Sequence, residues 1–197
     1  MATTTNTKSC DVVGRNFDWC PGRPELPGVL GDIYYAPLYN IVKKPKYKDM
    51  TEDGRPTTAE LTGNFEMAEG KTFHKICCLP RKNHYTSESQ GELPSQTQNN
   101  KLDAIIPSTA EEASAIGAVI NNIPIVVVFR DASGRARVLG IGFQWAQSTF
   151  AQDSGEDATG QVQSTLHVES SDLTVAPFYN GTLPLPGGDE ISFGSDN

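Results

Sequence analysis

Residues 107–129 read PSTAEEASAIGAVINNIPIVVVF, and this stretch decides the fold class. Ser108 stands three positions before Glu111, the spacing of a capping box, with Pro107 just ahead of it. Ala113, Ile116, Val119 and Ile120 recur at the spacing of one face of a 3.6-residue helix. Asn121 and Asn122 close that helix, and Pro124 prevents it from continuing. The spacing therefore predicts a helix over about 109–121. Ile125-Val126-Val127-Val128-Phe129 follows at once, too short for a buried helix and almost wholly β-branched or aromatic, so it reads as a central strand. One short helix beside such a strand points to a helix docked on β-sheet, covering its outer face and leaving strand edges free.

Outward from this stretch, strand signals dominate. Val29 to Tyr35 alternates Ile33 and Tyr35 with Asp32 and Tyr34. Ala59 to Met67 and Lys71 to Leu79, joined through Glu69-Gly70, read as a hairpin. His84 to Glu88 and Gln96 to Ile106 are two more strands, split by Gly91 and Pro94. Asp131-Ala132-Ser133-Gly134 is a turn sequence leading into a return strand from Arg135 to Gly142. Phe143 to Gly160, rich in Gln, Ser and Ala, reads as a long loop. Gln161 to Glu169 shows the cleanest alternation: Val162, Ser164, Leu166 and Val168 face one way, and Gln161, Gln163, Thr165, His167 and Glu169 the other.

The chain divides into an N-terminal arm at 1–28, a single β-rich domain at 29–183, and a flexible Gly/Pro tail at 184–197. Its 197 residues can bury roughly 70% of the unfolded surface in one domain. With 18 Gly and 13 Pro, turns must be frequent, which favours a β-rich architecture. Net charge is −8, and it is unevenly placed. Residues 1–101 carry 13 Lys/Arg against 12 Asp/Glu, and residues 102–197 carry 3 against 12. An acidic second half opposes a general grip on nucleic acid, since phosphate contacts need clustered cations. Lys43-Lys44-Pro45-Lys46-Tyr47-Lys48 is the exception, and it reads as a solvated charge run. No basic-then-apolar leader opens the sequence and no apolar run reaches spanning length, so a soluble chain made in a cytosol is expected.

The spacing of the reactive side chains matches no catalytic motif. Cys10, Cys20, Cys77 and Cys78 form no C-x-x-C, and His74 and His84 near the vicinal pair lack the paired close spacing of a zinc site, so reduced, idle thiols are expected. Gly140-Ile141-Gly142 follows a strand, but Trp145 stands where a dinucleotide loop needs its third Gly. Asp153, Glu156 and Asp157 around Gly155 do not follow a calcium-loop spacing and read as a solvated acidic loop. His167 and Glu169 point to the same side of their strand, a geometry able to orient an imidazole for base work, though an ordinary contact is the commoner outcome. Asn180-Gly181-Thr182 is a glycosylation sequon with nothing to send the chain to a secretory pathway. No residue is assigned a catalytic, cofactor-binding or metal-binding role, no cofactor is expected, and the chain is read as a non-enzyme.

One resemblance goes further. The order Leu61-Thr62-Gly63-Asn64-Phe65-Glu66-Met67, then Glu69-Gly70-Lys71-Thr72-Phe73, strands to Ile106, a short helix, an apolar strand to Phe129 and a Gly hairpin resembles phage tail tube proteins. The polar Asp153-Ser154-Gly155-Glu156-Asp157 loop followed by the alternating strand to Val168 looks like their final core strands. The layout covers Val29 to Val175 and rests on element order and turn residues, with no signature residue. It implies a mainly-β fold, an antiparallel β-sandwich or barrel with one flanking helix, assembled into stacked hexameric rings around a DNA channel in a virion. Implied partners are further copies of the chain and other virion proteins, with DNA as passing cargo and no membrane anchor. Another head, tail, baseplate or secretion-tube protein, or a bacterial β-sandwich binding module, fits the same residues.

Overall fold

A computed structural model describes residues 14–22, 24–52 and 54–194. In chain order the strands are β1 (Val29–Pro37), β2 (Ile41–Lys43), β3 (Lys46–Tyr47), β4 (Leu61–Thr62), β5 (Glu66–Met67), β6 (His74–Cys77), β7 (His84–Gln90) and β8 (Thr97–Ile106). The helix α1 (Glu111–Ile120) is followed by β9 (Ile125–Asp131), β10 (Ala136–Leu139), β11 (Gln147–Asp153), β12 (Gln163–Asp172), β13 (Phe178–Tyr179), β14 (Thr182–Pro184) and β15 (Glu190–Ser192). The fold is mainly β, antiparallel, with one α-helix among the described residues.

A five-stranded sheet in the order β13-β10-β9-β1-β6 forms the middle layer. Its β9 is buried along Ile125–Phe129, which explains the unbroken apolar run: a strand covered on both faces has no wet side to alternate with. Ile125, Val127 and Phe129, with Ile33 and Tyr35 of β1, pack against the four-stranded sheet β11-β12-β8-β7 through Leu102, Ala104, Leu166 and Val168. Val126 and Val128, with Tyr34 and Ala36, face the opposite way, into a second core with Phe65, Phe73, Tyr179, Leu183 and Phe193. Three two-stranded ribbons complete the sheets: β2–β5, β3–β4 and β14–β15.

Several expectations need correction. The stretch 59–79 is no hairpin: β4 pairs with β3, β5 with β2, and β6 with β1. Residues 143–160 are not all loop, because β11 forms there and pairs with β12 along its whole length. The stretch from Pro184 onward does not hang as a free tail: β15 returns onto β14, and Phe193 is buried against Tyr34 and Tyr179. Residues 14–22 and 24–28 are exposed and outside any strand or helix, whereas 1–13, with Cys10, lies outside the described residues.

The helix also begins later than the capping box implies. Its N-cap is Ala110, with no side-chain cap. Ser108 Oγ instead accepts the Ala110 N–H at 3.0 Å, and the Ser108 carbonyl accepts from Ser164 Oγ at 2.5 Å. A local turn wins over the cap, a competition open to any Ser near a helix start. Its buried face is Ala113, Gly117 and Ile120, with Ile116 at the margin and Val119 exposed. Gly117 lies against the Phe150 ring, so a Cβ there would meet it at 2.6 Å. Phe150 opposes Leu166 on the core side of the sheet. The helix therefore plugs the inner side of the sandwich and leaves the outer face of the four-stranded sheet open, the reverse of the expected cover. Among the described residues no helix is long and apolar enough to cross a membrane.

Candidate functional site

The open face is built rung by rung. Residues directly opposite in antiparallel strands share a face. The register therefore aligns His84, Asp103, His167 and Thr149 in one rung, and Thr86, Lys101, Glu169 and Gln147 in the next. A further rung aligns Glu88, Asn99 and Ser171, and the rung beyond it Gln90 and Thr97. Ile105 and Ala151 are the apolar members of this face. The alternation expected along Gln161 to Glu169 is thus present, extended to Asp172, except that Val162 precedes the strand and is exposed.

Two charge clusters occupy the centre. Asp103 is held between two imidazoles, His167 Nδ1 at 2.5 Å from one carboxylate oxygen and His84 Nε2 at 3.1 Å from the other. Glu169 accepts from Asn99 Nδ2 at 2.5 Å and lies 3.7 Å from Lys101 Nζ. Gln90 Nε2 donates to Ser171 Oγ at 2.8 Å. His167 and Glu169 are therefore not partners of each other: each pairs across to β8, because direct cross-strand neighbours are closer than residues two apart on one strand. Asp103, Lys101 and Asn99 escaped the sequence reading, since only the β8–β12 register brings them to His167 and Glu169.

One wall of this face is the connection from β10 to β11. Gly140, at φ +88°, sits so close to Ile125 that a Cβ would stand 2.6 Å from its carbonyl oxygen. Ala146 is fully buried, and its carbonyl accepts the Ile125 N–H at 3.1 Å. The loop is thus anchored at both ends, yet Phe143 and Trp145 between them are each 54% exposed. With Gln90 and Asn99 on the far side, they bound an open cleft of about 890 Å³ whose floor includes Asp103, His167 and Glu169.

The other residues singled out by sequence lie elsewhere. Cys20 and Cys77 are exposed thiols, and Cys78 is buried, its thiol pushed up to about 12 by burial and by neighbouring Cys77 and Asp32. His74 stacks near the Tyr35 ring, 5.6 Å between centroids. No cluster of three His, Cys, Asp or Glu suited to a metal ion occurs among the described residues. Asp153 and Asp157 accept from backbone N–H groups of their own loop, at Gly155 and at Thr159 and Gly160. The basic run is largely matched: Lys43 pairs with Glu66 and Lys48 with Glu60, while Lys44 lies near Asp172. Gly142 packs against the Asp172 carboxyl and precedes a strand, so no dinucleotide helix follows it. Gly181 of the sequon is pressed against Asn64 and Tyr179, and Asn180 beside it is exposed.

No family model matches the chain, and neither the curated proteins nor the solved structures compared with it yield a match.

Proposed function

We propose that this chain is a structural subunit that associates with copies of itself edge to edge, most simply as the tail tube subunit of a phage virion assembled in the host cytoplasm. The observation that carries the reading is the four-stranded sheet β11-β12-β8-β7, whose outermost strands, β7 and β11, are each seven residues long. Unpaired edge strands invite pairing with a neighbour. Four is an even number, so setting β11 of one copy against β7 of the next under rotation continues the antiparallel alternation and lets a ring close without an edge. The open face would then line the channel. It is polar almost throughout and holds Glu88, Asp103, Asp153 and Glu169 against Lys101, an acid excess that repels DNA phosphates and lets the duplex pass without sticking. Passing DNA and other virion proteins would be the remaining partners, and no catalysis is required.

A second reading, a monomeric binding module, is favoured by the aromatic-rimmed cleft on the same face. Negative-stain microscopy and light scattering across a concentration series separate the two. The tube reading expects rings or tubes at high concentration. A lone 21.3 kDa species under all conditions overturns it.

A further inference from the structure

We propose that the cleft over β12 binds a neutral saccharide, whose ring faces stack on Trp145 and Phe143 while its hydroxyls meet the polar rungs of the sheet. The proposal rests on the binding-module reading of this face and names its ligand. Three observations converge on it.

The first is the wall. Gly140 and Ala146 fix the loop to β9, but its two largest side chains are turned outward into the cleft rather than into either core. Aromatic rings held out of the core on an anchored loop mark an interaction site. The faces of such rings carry negative charge density, which attracts the positively polarised C–H groups on the flat side of a pyranose.

The second is the floor. Asn99, Gln147, Asp103 and Glu169 are planar side chains offering amide donors and carbonyl or carboxylate acceptors, the pairing that a hydroxyl needs, since it both donates and accepts. Asn99, Glu169 and Asp103 are already held by hydrogen bonds or ion pairs, so little side-chain freedom remains to be lost on binding.

The third is charge. Asp103 and Glu169 stand against Lys101. A floor with this excess of carboxylate repels phosphate and sulfate groups, and the Asn99 and Gln147 amides beside it suit uncharged hydroxyls. The volume, about 890 Å³, lies within the range of small-ligand sites, roughly 300–1,000 Å³. No bond is made or broken: the site binds.

The test uses the full chain carrying Trp19→Phe, which leaves Trp145 as the single tryptophan reporter. Cellohexaose, maltohexaose and chitohexaose are titrated by fluorescence and calorimetry beside a heparin hexasaccharide and oligothymidylate. At least one neutral oligosaccharide is expected to change Trp145 emission and to bind, and in calorimetry Trp145→Ala weakens that binding about tenfold or more. Both substitutions lie on the surface, and a matched circular dichroism spectrum verifies folding. Silence from all three neutral sugars at millimolar concentration, or equal binding by Trp145→Ala, overturns the proposal. Trp145-dependent binding of heparin or oligothymidylate alone overturns the ligand class and leaves the binding module standing. Failure of the module reading itself would appear separately, as rings in negative-stain microscopy and a multiple of the 21.3 kDa mass in light scattering.

Discussion

Asp172, 4% exposed at the end of β12, carries an ionisable group into the molecule. Burial raises its carboxyl above the ordinary value, although the Leu173 N–H, Tyr47 and Lys44 all favour the charged form. The folded state therefore holds this proton more tightly than the unfolded chain does. Its contribution to stability is fully present below the unfolded value of 3.8 and is lost as pH rises through the folded one. Asp172→Asn keeps the acceptor for Leu173 and removes the titration. Urea denaturation at several pH values from 3 upward should give a shallower fall of stability with pH for the variant than for the parent, and identical slopes would refute the assignment. None of this was legible beforehand: Asp172 follows the alternation of β12 inward, but Lys44, Tyr47 and Gly142 meet it only in the fold. His167 makes the same point, since its partner Asp103 lies 64 residues away.

Among the elements, β12 and β9 were readable because their hydrophobic periods are unambiguous. In β12, Ser164, Leu166 and Val168 are buried while His167 and Glu169 are exposed. Leu166→Asp places a charge where Leu166 is fully buried, and should cost more than about 3 kcal/mol, enough to abolish a cooperative thermal transition in a marginal domain. Thr165→Leu, on the open face, should leave the folded state within about 0.5 kcal/mol of the parent. Equal tolerance of both would contradict the strand's orientation. By contrast, β11 escaped notice because its core-facing residues are Ser148, Phe150 and Gln152, a single large apolar group among three. The two- and three-residue strands β2 to β5 carry too few residues for any period, and their partners lie 14 or more positions away.

Taken as a whole, the molecule is three layers sharing the middle sheet, and the third layer is closed by the C-terminal hairpin. Phe193 lies edge-on to Tyr34, with ring centroids 5.8 Å apart, and beneath the Arg130 guanidinium at 4.8 Å. Phe193→Ala should therefore cost about 3–5 kcal/mol, measured as a lowered urea midpoint, where a loose tail would show no effect. The sequence by itself determined the β-rich class, the helix ahead of β9, the doubly buried β9 and the polar face of β12, because each depends on composition or on a local period of side chains. Only the tertiary structure decided that the tail is a hairpin, that α1 plugs the inner side of the sandwich, and that Trp145, Asp103 and His167 share one cleft. Those are matters of strand register and layer packing between distant segments, and a one-residue shift in pairing would send Asp103 or His167 to the other face of the sheet.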